Sequence, residues 1–289
     1  MPRPIGNPLS WSAGAVGAAL GHLAAAGETV ASGRGAGRPQ VRRITLDDLR
    51  AALRAGVDDL AAFRTDVVFA CLLYPLIGIC LAVVAVQGHA QLVFPILSGF
   101  ALVGPVAAVG LYELSRRREL GLEASWLAFA DVFGAPRFGA IVVLALFHLA
   151  IFAAWIMAAN LIFKATLGSG APDASAGLWQ GGFFQDVLTT PTGWVMTGVG
   201  MAVGFCFALG VLAISIVSFP LLLDRDVGVV QAVQTSVRVT LLNPVPVAVW
   251  GLIVALALAV GSLPALLGLV LVMPVLGHAT WHLYRAAVV

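Results

Sequence analysis

Charged residues are scarce in this chain. Lys, Arg, Asp and Glu together make up 10% of its 289 residues, whereas hydrophobic residues make up 60%. A soluble domain carries about 25% charged residues, because its surface must present groups that water solvates. So low a charge content excludes an ordinary soluble fold, and the surplus apolar surface predicts a protein immersed in a lipid bilayer. The net charge of +2 is too small to indicate a nucleic-acid partner.

Cysteines and catalytic motifs are also few. The three cysteines, Cys71, Cys80 and Cys206, fall inside apolar runs and show neither a CxxC pair nor the spacing of a zinc site. They are typical of small buried hydrophobic residues. No phosphate-binding loop, nucleophile elbow or HExxH motif occurs in the sequence. We therefore expect no catalytic residue, no metal and no cofactor, and predict that the protein is not an enzyme.

The N-terminal residues 1–40 are rich in Gly, Ala, Ser and Pro and offer no continuous apolar face. This composition predicts a disordered tail. A signal peptide cleaved near Ala24–Ala26 is the alternative, but the run before it is too glycine-rich for a convincing apolar segment. The remaining residues, 41–289, are predicted to form one integral membrane domain.

An amphipathic surface helix is predicted over residues 45–64. Thr45 and Asp48 have the spacing of a capping box at its start, and Arg54 and Asp58 are placed to pair. Its apolar residues recur at steps of three and four, which is typical of a helix with one buried face: Leu46, Leu49, Leu53, Val57, Leu60 and Phe63.

Long uncharged runs predict an all-α, polytopic membrane helix bundle with about six transmembrane helices. A run of about 20 residues is long enough to cross the bilayer core as a helix. The second run contains Pro95 and Pro105, which should bend it. The predicted spans are residues 67–86, 92–112, 138–163, 194–222, 245–260 and 264–282.

The positions of Lys and Arg predict the orientation. With the N-terminus in the cytoplasm, all of the 16 basic residues except Lys164 fall on the cytoplasmic side. We therefore expect a multi-pass protein of a bacterial inner membrane with both termini in the cytoplasm.

Two cytoplasmic loops resemble each other and suggest a parallel internal repeat. Residues 118–122 and 225–229 each run basic, acidic, apolar, Gly, apolar, and each is followed by an apolar stripe at helical spacing and then a proline. The first stripe is Leu122, Trp126, Phe129 and Phe133, and the second is Val230, Val233, Val237 and Leu241. The repeated unit is thus span, surface helix, span. Transporters often contain repeats, although bundles without a transport role can also be duplicated.

Ionisable residues inside spans usually mark a functional site, but here the predicted spans carry no Lys, Arg, Asp or Glu away from their ends. Glu113 lies at a cytoplasmic end, where an ion pair with Arg116 and Arg117 is expected. Asn160 is expected to form a hydrogen bond with a neighbouring helix. Gly200 and Gly204 form a GxxxG pair, which indicates close helix contact within the chain or with a partner.

Three histidines are candidate ligands. His278 and His282 are four residues apart and therefore share a helix face, while His148 lies near the middle of the third span. Imidazoles on different helices could ligate haem or a metal. Their surroundings, with aromatic and basic residues beside His278 and His282, are more typical of interfacial anchoring.

Three stretches of the sequence resemble the DUF2189 family of predicted bacterial integral membrane proteins: residues 74–78, 98–105 (SGFALVGP) and 110–119 (GLYELSRRRE). The ending, residues 277–285, also looks like that of the family, so the resemblance covers about residues 41–289. It implies membrane insertion but no defined activity and no catalytic residue. Some members carry a tentative label as oxidase subunits.

Three functions remain open from the sequence. The first is an accessory or assembly component of a larger membrane complex, in contact with the lipid bilayer and with other membrane subunits. The second is a small transporter or channel built on the repeated unit, with a polar cavity near Asn160. The third is an oxidase-related or haem-bearing subunit.

Overall fold

The computed structural model describes residues 38–62, 72–86, 90–122, 138–168 and 182–289. Within these ranges the chain is helical, and its one β-type contact is an antiparallel bridge between Val41 and Val288. Residues 1–37 of the predicted tail, Phe63 and residues 123–137, which include most of the predicted first surface helix of the repeat, lie outside the described residues. The helices are α1 (Leu46–Ala62), α2 (Leu73–Val86), α3 (Val93–Ala107), α4 (Val109–Glu119), α5 (Phe138–Thr166), α6 (Phe183–Thr189), α7 (Pro191–Ser215), α8 (Ser218–Asp224), α9 (Val229–Leu242), α10 (Pro244–Ser262) and α11 (Leu269–Ala287).

Four helical segments in the described part of the chain are long and apolar enough to cross a membrane. They are α3 with α4, α5, α7 with α8, and α10. The predicted count of six therefore stays a prediction for the first and last spans. The first includes residues outside the described ranges, and α2 alone has 14 residues. The last does not begin at Pro264, because Ala265 and Leu266 form a left-handed turn and α11 starts only at Leu269.

The long segment formed by α7 and α8 is broken at Ile216 and Val217. Pro220 has no N–H and its ring clashes with the carbonyl four residues earlier, that of Ile216, so the helix cannot continue regularly. Ser236 of α9 repairs the break: its Oγ donates to Ala213 O at 2.8 Å and accepts from Val217 N at 3.4 Å. Surface helix α9 is thereby fixed against the break by its polar side chains.

Helix α1 packs along α11, with its closest approach at Gly56. A Cβ there would lie 2.7 Å from the backbone of Ala279 and of Val275, so only glycine permits this crossing. The buried residues of α1 are Leu49, Ala52, Gly56 and Asp59. The predicted apolar stripe was therefore partly wrong: Leu49 is buried, but Leu46 and Val57 are exposed, because the face towards α11 also includes the small residues Ala52 and Gly56.

Helices α3, α5 and α7 meet in an apolar layer. Leu102, Trp155 and Val211 are its buried centre. Gly99 allows the Phe152 ring to lie directly on the α3 backbone, where a Cβ would be 2.1 Å from the ring. The Trp155 indole N–H donates to Pro95 O at 2.9 Å. This bond satisfies the one polar group of the tryptophan with a carbonyl of α3.

The segment before α1 and the C-terminal residues form backbone hydrogen bonds with each other at the end of the bundle that carries α1. Arg42 N donates to Ala287 O and Val289 N donates to Gln40 O. Asn243, at the start of α10, accepts from Ile44 N at 2.8 Å and donates to Arg42 O at 3.2 Å. The segment before α1 is thus held against both α11 and the junction of α9 with α10.

The described part of the repeat follows the predicted order in its second unit, with span α7–α8, surface helix α9 and span α10. In the first unit, α3–α4 and α5 are the spans, and the residues predicted to form the surface helix between them lie almost wholly in 123–137, outside the described ranges. Each unit begins with a span that breaks near a proline, Pro105 or Pro220, and ends in a short helix. The two short helices, α4 and α8, contact each other.

Candidate functional site

A network of charged and polar side chains joins α1, α4, α8 and α11 at one end of the bundle. We call it the polar network. Its four carboxylates are Asp59, Glu113, Glu119 and Asp224. Each forms an ion pair or hydrogen bond with at least one basic side chain. The partners are Ser115, Arg116, Arg117, Arg118, Arg225, His278, Trp281, His282, Tyr284 and Arg285.

Asp59 is the most enclosed of these carboxylates, with 3% of its surface exposed. One of its oxygens, Oδ2, accepts from Ser115 Oγ at 2.5 Å and lies 2.9 Å from His282 Nε2. The other oxygen pairs with Arg118. The carboxylate of surface helix α1 is thus bound by groups of both α4 and α11.

Burial alone would raise the pKa of Asp59, because it disfavours the charged form. The hydrogen bonds from His282 and Ser115, together with the charges of His282 and His278, outweigh burial and lower that pKa to about 2. Asp59 is therefore a carboxylate in the folded protein at neutral pH, and its charge holds α1 in place.

Ser115, His278 and Asp59 are the residue types of a hydrolytic triad, but their arrangement differs from one. Ser115 Oγ lies 2.7 Å from His278 Nδ1 and bonds directly to Asp59, so serine bridges the other two. In a nucleophilic triad the histidine lies between serine and carboxylate. Ser115 is also only 1% exposed, which leaves no room for a substrate carbonyl at its Oγ.

A second part of the polar network surrounds Asp224 at the end of α8. Arg116 Nε lies 3.6 Å from Asp224 Oδ1 and its Nη1 lies 3.3 Å from Glu113. Tyr284 donates its hydroxyl to Asp224 Oδ2 at 2.7 Å. Arg116 therefore bridges a carboxylate of α4 and one of α8. These are the two short helices that end the first span of each repeated unit.

Glu119 links the last turn of α4 to α11. Its two oxygens accept from the Trp281 indole at 2.9 Å and from Arg285 Nε at 2.9 Å. Arg285 also approaches Asp224 at 3.6 Å. The three helix ends are thus joined through one arginine.

The structure places five of the predicted candidate residues in the polar network and the others elsewhere in the bundle. Glu113 pairs with Arg117 at 2.8 Å and with Arg116, as its position at the span end suggested. His278 and His282 share a face of α11 that contacts Asp59. These five residues all belong to the polar network.

His148 lies apart from the other two histidines. It is fully buried in α5, its Nδ1 lies 2.9 Å from Leu144 O, and its ring packs edge-on against Phe219 of α8 with centroids 5.0 Å apart. Within the described ranges, no group of three or more His, Cys, Asp or Glu is arranged to hold a metal ion. The structure does not bring the three histidines to one site.

The glycine pair and Asn160 have different surroundings. A Cβ at Gly204 would lie 3.0 Å from the Trp155 ring, so this glycine serves packing of α7 on α5. A Cβ at Gly200 would meet nothing within 4 Å. Asn160 is half-buried on α5, and its expected hydrogen bond to a neighbouring helix is not formed among the described residues.

Sequence reasoning missed Asp59, Ser115 and Asp224. A signal for Asp59 was present, because it continues the three-and-four spacing of Leu49, Ala52 and Gly56, and a carboxylate on a small-residue face needs a buried partner. Nothing in the sequence pairs Asp224 with Tyr284, which lies 60 residues away. Such pairings depend on how helices cross, and local patterns do not encode that.

The comparisons with known proteins agree with the membrane architecture. Residues 93–224 match the model of the DUF2189 family, described as a predicted integral membrane protein. The matched segment runs from the start of α3 to the end of α8 and includes Glu113, Glu119 and Asp224. No curated protein and no solved structure matches the chain significantly. The protein is an integral membrane protein with several apolar helices.

Proposed function

We propose that this integral membrane protein is a non-enzymatic accessory or assembly component of a larger membrane complex. Its other subunits would contact the exposed face of α7, while the polar network keeps the cytoplasmic end of the bundle rigid. We place the protein in a bacterial inner membrane with both termini in the cytoplasm, on the strength of the positive-inside pattern.

The open face of α7 is the observation that carries the proposal. Four small residues recur on it at steps of four, and all four are exposed: Gly198, Ala202, Cys206 and Gly210. A Cβ at Gly198 or at Gly210 would meet nothing within 4 Å. Small residues at this spacing let a second transmembrane helix approach the backbone closely.

A row of bulky side chains borders this row of small ones. Met201, Phe205 and Leu209 also recur at steps of four and are 63%, 62% and 46% exposed. A groove of small residues beside a ridge of large ones is the surface that helix packing by ridges into grooves requires. The opposite side of α7 is already used, since Gly204 packs against Trp155.

The interior favours an accessory role over a transporter. Where α3, α5 and α7 meet, near Asn160, the contact is filled by apolar side chains around Trp155. A water-filled passage needs polar groups along its walls, and the polar network at one end is closed by its own ion pairs. These features support a scaffold more than a substrate pathway.

Native purification from the source membrane in mild detergent tests the proposal. We expect the wild-type chain to elute with other membrane subunits. A double variant, Gly198→Leu with Ala202→Leu, should fill the groove and release the chain from them. A matched control, Ala255→Leu with Ala259→Leu on the exposed face of α10, should leave the complex intact. Elution of the wild type only as monomer or homodimer would overturn the proposal.

A further inference from the structure

The outer face of α9 carries an arrangement that the accessory role does not use. This face consists of Val230, Gln234, Arg238, Leu241 and Leu242, all exposed, while Ala232, Thr235, Ser236 and Val239 on the other side are buried. Apolar residues lie at both ends of the exposed face and an arginine lies between them. Leu241 is 75% exposed and is followed by the exposed Leu242 and Val245, so the exposed apolar residues are grouped here and not scattered singly.

The apolar end of α9 continues into a predicted membrane span. Val245, in the first turn of α10, is 64% exposed, and α10 is long and apolar enough to cross a membrane. Leu241 and Val245 therefore belong to one apolar surface that passes from the surface helix onto the span. A surface helix whose apolar residues continue onto a span is typical of the level where acyl chains meet headgroups.

Two arginines lie at that junction. Arg238 is one turn before Leu241 and Leu242. Arg43 is held beside the same junction, since its chain neighbours Arg42 and Ile44 both bond to Asn243, between α9 and α10. Both side chains are exposed, and among the described residues neither forms an ion pair.

We propose that Arg43 and Arg238, with Leu241 and Val245, bind an anionic phospholipid. The guanidinium groups would contact the headgroup phosphate, which arginine can bind through two parallel hydrogen bonds. The two apolar side chains would contact the acyl chains below. We call these four residues the lipid junction. The inference is independent of the proposed accessory role.

The exposed arginines of α1 provide a contrast. Arg50 pairs with Asp47 at 2.7 Å, and Arg54 shares its face with Asp47 and Asp58, which are also exposed. The predicted Arg54–Asp58 pair is not formed among the described residues, and the face carries both basic and acidic side chains. It has the character of a solvated surface, so these arginines serve as matched controls.

Native mass spectrometry of the full chain in mild detergent tests the lipid junction. The probes are dioleoyl phosphatidylglycerol and dioleoyl phosphatidylcholine, which differ only in headgroup. We expect the wild type to prefer the anionic lipid. Because each arginine near an anionic surface gives about a fivefold gain in binding, the double variant R43Q/R238Q should weaken phosphatidylglycerol binding about 25-fold. It should weaken phosphatidylcholine binding much less, because the choline cation already neutralises that phosphate.

The controls separate this site from general charge effects. R50Q/R54Q removes the same charge and should keep the wild-type preference, and R43K/R238K should retain most of it if the glutamine variant fails to fold. Equal lipid preference in wild type and R43Q/R238Q would overturn the proposal, as would an equal loss in R50Q/R54Q. Competition by millimolar inorganic phosphate as strong as that by the lipid would indicate a phosphate site and overturn it as well.

Discussion

At the scale of single residues, Asp59 carries the largest consequence. It is a buried carboxylate on a surface helix, and its partners Ser115, Arg118 and His282 come from two other helices. Replacing Asp59 removes the charge that compensates Arg118 and His282, whose side chains are only partly exposed, and takes a charged acceptor from the buried Ser115 hydroxyl. The Asp59 contacts therefore help to hold α1, in addition to its packing on α11 at Gly56.

Asp59→Asn is expected to lower the free energy of unfolding by about 3 kcal/mol, the size of effect found when a buried ion pair loses a partner. Asp58→Asn is the matched control, because Asp58 is the adjacent residue and is exposed. The measurement is thermal unfolding of both variants in the same detergent. Equal stability of the two variants would show that the Asp59 contacts do not hold α1.

Acid should weaken the same contact over a defined pH range. The pKa of Asp59 falls from its ordinary value of 3.8 to about 2 on folding, so its stabilisation is fully present above pH 4 and is lost as the pH falls through 2. The difference in unfolding free energy between wild type and Asp59→Asn should shrink by about 2 kcal/mol between pH 5 and pH 2. A difference that stays constant over this range would contradict the assignment.

At the scale of helices, the sequence predicted which segments are helical better than it predicted where each helix begins and ends. Long apolar runs located α5 and α10 well, because a bilayer span needs little besides length and hydropathy. The predicted fourth span, 194–222, is in fact two helices, α7 and α8, since Pro220 breaks it. Pro220 itself was visible in the sequence, but the role of Ser236 in repairing the break was not, because it depends on α9 folding back onto α7.

Ser236→Ala tests that repair. The variant leaves Val217 N–H and Ala213 O without their side-chain partner, and an unsatisfied buried polar group costs about 1–3 kcal/mol. Thr240→Ala is the control, since among the described residues the Thr240 hydroxyl bonds to Ser236 O of its own helix and to no other group. Hydrogen exchange of α8 and α9 should rise in the first variant only. Unchanged exchange in both would mean that the break does not need Ser236.

At the scale of the whole molecule, charge and hydropathy predict an orientation in the membrane, and this orientation stays a prediction. The arginines that the positive-inside rule grouped on one side, among them Arg116, Arg225 and Arg285, do converge in one polar network. The burial of Asp59 and the crossing at Gly56 could not be predicted, because they follow from how α1 and α11 meet. The sequence thus predicted only some of the residues that form the polar network.

Labelling of introduced cysteines tests the orientation in a cysteine-free background. Position 54 lies on α1 at the polar-network end, and position 188 lies on α6, at the other end of α7. A membrane-impermeant maleimide should label Leu188→Cys in intact cells and Arg54→Cys only after permeabilisation. The reverse pattern would invert the orientation and remove the basis for a cytoplasmic polar network.

The exposed groove of α7 bears most directly on the proposed function. A photo-crosslinking amino acid placed at Ala202, in this groove, is compared with one at Ala255 on the exposed face of α10, in the native membrane. The accessory role predicts a discrete adduct between position 202 and another membrane protein, and lipid adducts alone from position 255. Only lipid adducts, or only adducts with a second copy of this chain, at position 202 would contradict it.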